Sequence, residues 1–146
     1  MVMSALDRLV LIDTSIWIGY FRGQEEIHSR VNELIDSGTV RCLKLIIAEL
    51  IQGAKTEKEV DVMKDLADVF PVLSEGPDSW VKAGILAFQL RADPDSSGRP
   101  IGRKAGKNIG LSDCYIATVA RESNAVIYTL DRHFKEIQSH IDIALL

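Results

Sequence analysis

The chain has 146 residues, of which 47% are hydrophobic and 26% charged, as expected for one globular domain with a buried core rather than a disordered chain. Its net charge of -4 at pH 7 argues against a protein that coats nucleic acid over its whole surface. No apolar run approaches the roughly 20 residues of a membrane span, and the N-terminus lacks a secretory signal, so we expect a cytoplasmic location and no membrane partner.

The first half of the chain predicts a strand, two helices, a second strand and two more helices. These elements cover residues 9–12, 14–21, 24–36, 40–43, 46–54 and 56–68. The first strand is a run of four aliphatic residues that ends at Asp13. Gly38 suits the C-terminal cap of the second helix. Thr56 and Glu59 have the spacing of a capping box at the start of the fourth helix.

The second half predicts three strands and three helices around one irregular stretch. In order, these are a strand, a helix, the irregular stretch, a helix, a strand, a helix and a strand, over residues 69–73, 77–92, 93–110, 112–122, 125–130, 132–140 and 141–145. Pro71 favours an edge position for its strand because proline has no N–H to donate. Val81, Ile85 and Phe88 share one face of the long helix, and Ser112 can cap the helix that follows it.

Strands that alternate with helices indicate a mostly parallel sheet covered by helices on both faces. We therefore predict an α/β fold, in which a central sheet of about five strands forms a single three-layer domain. No repeat or linker divides the chain, so this domain is expected to span residues 1–146.

Four acidic residues occupy positions where an open parallel sheet places its functional sites. Asp13 ends the first strand and Asp131 follows the fourth, and ligands bind at the carboxyl ends of such strands. Asp113 lies at a helix start, where the helix dipole favours a carboxylate. Glu49 interrupts an apolar helix. Each acid alone could be a helix cap or an exposed side chain, but together they could converge at one edge of the sheet.

Carboxylates held close together repel one another unless cations lie between them. Hard divalent ions such as Mg²⁺ or Mn²⁺ prefer oxygen ligands, and a pair of such ions can stabilise the attacking and leaving oxygens in phosphodiester cleavage. The sequence is therefore consistent with a metal-dependent nuclease holding one or two ions. A dehalogenase-type fold would need a second acid where Ser15 stands. A receiver domain would need an acidic pair at the first strand and a lysine after the last, and neither is evident.

Four segments in order resemble the signature segments of PIN domains, most closely those of VapC-type toxin ribonucleases. They are residues 11–18, 48–53, 110–117 and 129–134. The resemblance implies that Asp13, Glu49, Asp113 and Asp131 form the catalytic, metal-binding site. It also implies supporting roles for Ser15 and Thr129, which match hydroxyl residues of the first and last segments. An RNA substrate, an antitoxin partner and a homodimer are implied as well.

The irregular stretch is longer and more basic than this family leads us to expect. Residues 91–110 hold five basic and two acidic side chains, a balance of +3. We interpret four of them as contacts to the RNA backbone: Arg99, Arg103, Lys104 and Lys107. The three histidines lack metal-ligand spacing, and His133 is interpreted as a bystander. A non-catalytic PIN-like module that binds RNA or protein remains the alternative reading.

Overall fold

A four-stranded parallel sheet organises the domain. The computed structural model describes residues 8–92 and 109–146. In chain order its elements are β1 (Val10–Ile12), α1 (Thr14–Phe21), α2 (Glu25–Ser37), β2 (Val40–Arg41), α3 (Lys44–Gln52), α4 (Glu57–Val69), α5 (Ser79–Ala92), α6 (Leu111–Glu122), β3 (Val126–Tyr128), α7 (His133–Gln138) and β4 (Ala144–Leu145). Within these ranges no helix is long and apolar enough to cross a membrane.

The strand order is β2-β1-β3-β4, and every pairing is parallel. The connection from β1 leads to one side of the sheet and the connection from β3 leads to the other. Because such crossovers are right-handed, the intervening helices cover opposite faces. The prediction of a single three-layer α/β arrangement is therefore confirmed. Because the connections that follow β1 and β3 lead to opposite sides of the sheet, a crevice opens beyond the carboxyl ends of these two strands. Ligands bind at this position in sheets of this kind.

The predicted strand at residues 69–73 is the one strand that does not form, so the described sheet has four strands rather than five. Val69 belongs to α4, and only a single parallel bridge, Cys42 to Val72, continues the sheet beyond β2. Two backbone hydrogen bonds of 2.8 and 2.9 Å flank this bridge. Pro71 accepts one of them through its carbonyl but has no N–H with which to extend the ladder.

The core lies on both faces of the sheet. All three residues of β1 are fully buried, and α6 is buried continuously from Cys114 to Ala120. Such a helix is covered on all sides, which fixes the position of its first turn. Gly38 adopts a left-handed conformation as the C-cap of α2, as predicted. The helix cap predicted at Ser112 is wrong, because α6 begins one residue earlier and Gly110 is its N-cap.

Helix α5 turns its predicted apolar face outward. Val81 is 63% exposed, Ile85 52% and Phe88 62%. The side of α5 that packs into the core carries Ala83, Leu86 and Leu90, which are buried. The domain therefore has an apolar stripe on its surface, defined here by Val81, Ile85 and Phe88.

Candidate active site

The four predicted acids reach one crevice from four different elements. Asp13 follows β1 and is the N-cap of α1, whereas Asp131 lies between β3 and α7. Asp113 lies in the first turn of α6. Glu49 lies on α3, which packs against α1. Electrostatic interactions join Asp13 to each of the other three acids, which places all four in one cluster.

Two hydroxyl groups hold the carboxylate of Asp13. Thr129 Oγ1 donates to Asp13 Oδ2 at 2.7 Å, and Ser15 Oγ donates to the same oxygen at 3.2 Å. Each hydroxyl also accepts a backbone N–H: Leu130 donates to Ser15 at 3.1 Å and Asp131 donates to Thr129 at 2.9 Å. The ends of β1 and β3 are thereby joined around Asp13, so the supporting contacts expected of Ser15 and Thr129 are present.

Glu49 is held by a residue that the sequence did not single out. Thr14 Oγ1 donates to Glu49 Oε1 at 3.2 Å. The two residues are 35 positions apart, so their spacing offered no signal. The one available hint was the hydroxyl directly after Asp13, at the start of a helix. Thr14 therefore orients Glu49 in the way that Ser15 and Thr129 orient Asp13.

His133 lies within the cluster, so the interpretation of this residue as a bystander is wrong. Its Nδ1 lies 2.9 Å from Asp113 Oδ2 and 3.5 Å from Asp131 Oδ1. Its backbone N–H also donates to Asp131 Oδ1 at 2.9 Å. The side chains of His133, Asp113 and Asp131 are partly buried, with exposures of 24%, 21% and 35%. One residue at the start of α7 thus contacts two of the four acids.

Burial and mutual repulsion make the cluster unfavourable for negative charge. Burial raises the pKa of Asp13, an effect that hydrogen bonds from Thr129, Thr14 and Ser15 oppose. Burial also raises the pKa of Glu49, and the charges of Asp13 and Asp113 add to the rise. The pKa of Asp113 is raised by burial and by Asp131, against the hydrogen bond from His133. Within the described residues, the charge of His133 offsets the rise in the pKa of Asp113 only in part, and the pKa values of all three carboxyl groups stay raised.

The donor set fits a hard divalent cation. Asp113, Asp131 and His133 each offer one ligand atom, and these atoms lie within 4.8 Å of one another. In the part of the chain that the structure describes, no lysine or arginine forms a salt bridge with any of the four acids. Oxygen-rich sites of high negative charge are those that Mg²⁺ and Mn²⁺ occupy. A cation bound here would offset the negative charge of the four carboxylates.

An open groove leads away from Glu49 between α1, α3 and α4. Its lining is mainly apolar and includes Ile18, Phe21, Leu50 and Met63, together with two basic residues, Arg22 and Lys55, and a second acidic residue, Glu59. Ile18 is 37% and Phe21 39% exposed. The four residues predicted to contact RNA, by contrast, lie outside the described residues: Arg99, Arg103, Lys104 and Lys107.

Comparison with known families gives one match that spans most of the chain. The sequence profile of the PIN domain matches residues 10–139. Among curated proteins, the chain is similar to ribonuclease VapC32 of Mycobacterium tuberculosis, with 26% identity over 94% of this chain and 96% of the relative. It is also similar to the VapC ribonuclease Mb1587 of Mycobacterium bovis, with 28% identity over 88% of this chain and 91% of that protein.

Solved structures with this fold include chains from two VapBC assemblies. One is VapBC-1 of nontypeable Haemophilus influenzae, with a TM-score of 0.63 and 26% identity over 94% of this chain and 96% of that one. The other is DNA-bound VapBC of Salmonella typhimurium, with a TM-score of 0.69 and 21% identity over 95% and 97% of the two chains. The fold is thus shared over most of the chain.

Proposed function

This chain belongs to the PIN domain family, and on that premise we propose that it is a metal-dependent endoribonuclease, the toxin of a toxin–antitoxin pair. The observation that carries the proposal is the convergence of four carboxylates at the crevice between β1 and β3. Sequence relatives that carry the name ribonuclease support RNA as the substrate. A non-catalytic module would have no need to keep all four acids together at an energetic cost.

The four acids would hold the metal, Mg²⁺ or Mn²⁺, as one or two ions. When bound, the metal is a Lewis acid that makes water easier to deprotonate and offsets charge on the phosphate oxygens. The protein's own contribution is orientation. Ser15 and Thr129 hold Asp13 through one carboxylate oxygen, and Thr14 holds Glu49. Carboxylates fixed in this way lose little freedom when a cation binds, which favours a defined coordination geometry.

We propose that the groove lined by Ile18 and Phe21 is the binding site of an antitoxin. Solved structures of similar fold include VapBC assemblies, which supports a protein partner of this kind. The groove begins at Glu49 and exposes apolar side chains beside Arg22 and Lys55. An apolar segment would fit this lining, and it would reach the acidic cluster at Glu49. Binding there would block access to the site.

The apolar stripe on α5 supports the homodimer. Val81, Ile85 and Phe88 are each more than half exposed and lie together on one helix. Two copies related by a twofold axis would bury the stripe against itself, since a dimer of this symmetry uses the same patch twice. A contiguous apolar patch on a monomer's surface is otherwise uncommon.

The decisive experiment is cleavage of total cellular RNA by protein freed of any antitoxin. Wild-type protein with Mg²⁺ or Mn²⁺ is compared with the same protein in EDTA and with Asp113→Asn. The asparagine keeps the size of Asp113, and its oxygen can still accept the hydrogen bond from His133, whereas the negative charge and one acceptor oxygen are lost. Asp61→Asn, an exposed position on α4, is the matched control. We expect metal-dependent fragments from wild type and Asp61→Asn alone.

The non-catalytic reading makes the opposite prediction. Antitoxin-free protein would then give no fragments with either metal, and divalent ions would not raise its melting temperature. That pair of results would replace the ribonuclease with a module that binds RNA or protein. Cleavage that persists in EDTA or in Asp113→Asn would instead show that a contaminating nuclease, or a different site, is responsible.

A further inference from the structure

We propose that His133 is a positioning residue of the acidic site, whose ring N–H fixes the orientation of the Asp113 carboxylate. This inference rests on the proposed metal-dependent function and assigns a role to a residue outside the four acids. Its geometric basis is the 2.9 Å contact between His133 Nδ1 and Asp113 Oδ2. An ionised carboxylate can only accept hydrogen bonds, so Nδ1 must carry the proton in this contact.

Asp113 depends on His133 more than Asp13 depends on any single partner. The carboxylate of Asp13 receives two hydroxyl groups and a backbone N–H. For Asp113, the ring of His133 is the one hydrogen-bond donor within the described ranges. Without that ring, the Asp113 carboxylate would lose the donor that holds its Oδ2 in place. A cation would then have to fix the carboxylate as it binds, at a cost in affinity.

The position of His133 is itself fixed by the core. His133 is the first residue of α7, and the next residue, Phe134, is fully buried, as is Ile137 one turn on. The backbone N–H of His133 donates to Asp131 Oδ1 at 2.9 Å. One residue therefore ties Asp113, at the start of α6, to Asp131, after β3. A rigid support of this kind holds ligands more precisely than a mobile loop would.

Positioning and metal ligation are exclusive roles for one ring nitrogen. A nitrogen that binds a cation offers it a lone pair, whereas a nitrogen that donates to a carboxylate offers a proton. The 2.9 Å distance from Nδ1 to Asp113 is that of a charge-assisted hydrogen bond. The geometry therefore assigns Nδ1 to the carboxylate, so this nitrogen is not itself a ligand of the cation.

Calorimetric titration with Mn²⁺ tests this role in the intact protein without relying on cleavage. His133→Asn places an amide N–H close to the position of Nδ1, whereas His133→Gln places its N–H near Nε2, and His133→Ala has no donor. Loss of a residue that supports a metal ligand typically weakens metal binding by about 10–100-fold. We expect that loss for His133→Ala and His133→Gln, with His133→Asn close to wild type. Ser139→Ala, at the other end of α7, is the control.

The outcomes separate this inference from the proposed function. Wild-type protein that binds no Mn²⁺ overturns both. Wild-type protein that binds Mn²⁺, with His133→Ala binding equally tightly, overturns the positioning role alone. Loss of affinity in His133→Asn as large as that in His133→Ala also overturns it, because the N–H donor would then not be what matters. Melting temperatures in EDTA show whether each variant is folded. If His133→Ala does not fold, His133→Gln replaces it, and a His133→Gln protein that binds Mn²⁺ as tightly as His133→Asn overturns the positioning role.

Discussion

Divalent metal should stabilise this protein only when Asp113 carries its charge. A ligand present at 100 times its dissociation constant adds about 2.7 kcal/mol to the free energy of unfolding. A chain of 146 residues unfolds with an entropy of roughly 0.3 kcal/mol/K. Saturating Mn²⁺ should therefore raise the melting temperature of the wild type by about 9 °C. Asp113→Asn should show little of this rise, because the cluster loses one of its four charges.

The metal-free proteins should differ in the opposite direction. The pKa values of Asp13, Glu49 and Asp113 are raised in the folded state, mainly by burial. A carboxyl group with a raised folded pKa stabilises the fold fully below its unfolded pKa, and that stability is lost as the pH rises through the folded value. Metal-free wild type should therefore be less stable at pH 7 than at acidic pH near the ordinary carboxyl range. Asp113→Asn, which lacks one of these charges, should melt above the wild type at pH 7.

Circular dichroism melts measure both effects: melts in EDTA at about pH 4 and at pH 7 test the pH dependence, and melts in EDTA and in Mn²⁺ at pH 7 test the metal dependence. Asp61→Asn on the exposed side of α4 should behave as the wild type in every condition. Equal metal-induced shifts in wild type and Asp113→Asn would show that Asp113 does not contribute to the metal site. A metal-free Asp113→Asn protein that melts below the wild type at pH 7 would refute the argument from repulsion.

Three further predictions concern Thr14, the α5 stripe and the irregular stretch. Thr14→Val should weaken Mn²⁺ binding by about 10-fold because Glu49 loses its hydroxyl partner, whereas Thr14→Ser should bind as the wild type in the same calorimetric titration. Phe88→Asp should convert a dimer to a monomer in light scattering, because it places a charge in the α5 stripe. Val62→Asp, at an exposed position on α4, is the control and should leave the mass unchanged. An unchanged mass for Phe88→Asp would argue against the α5 stripe as the interface. Charge reversal at the four basic residues of the irregular stretch, Arg99, Arg103, Lys104 and Lys107, should weaken RNA binding. The slope of the logarithm of the binding constant against the logarithm of the salt concentration should fall by about 0.7 for each lost phosphate contact. Unchanged binding would contradict the role predicted for these residues.

Local patterns in the sequence were enough to locate nearly every element of the fold. The aliphatic run before Asp13 predicted β1, and Gly38 predicted the end of α2, because a buried strand and a left-handed cap each have a short, local signature. Local patterns failed where packing against another element decided the structure. The strand at residues 69–73 was reduced to one bridge at the edge of the sheet. Apolar spacing along α5 could not tell which side of the helix packs inward.

The four acids were identified from the sequence because their positions at strand ends and helix starts are local features, and because the segments around them resemble a known family. The sequence predicted only some of the side chains that support them: Ser15 and Thr129 were expected, whereas Thr14 and His133 were not. Thr14 and Glu49 are 35 residues apart, and His133 and Asp113 are 20 apart. No local periodicity encodes such distances, since they depend on how buried strands and helices pack. The sequence by itself thus determined which carboxylates come together and two of the hydroxyl groups beside them, and the tertiary structure alone decided that Thr14 and His133 hold Glu49 and Asp113.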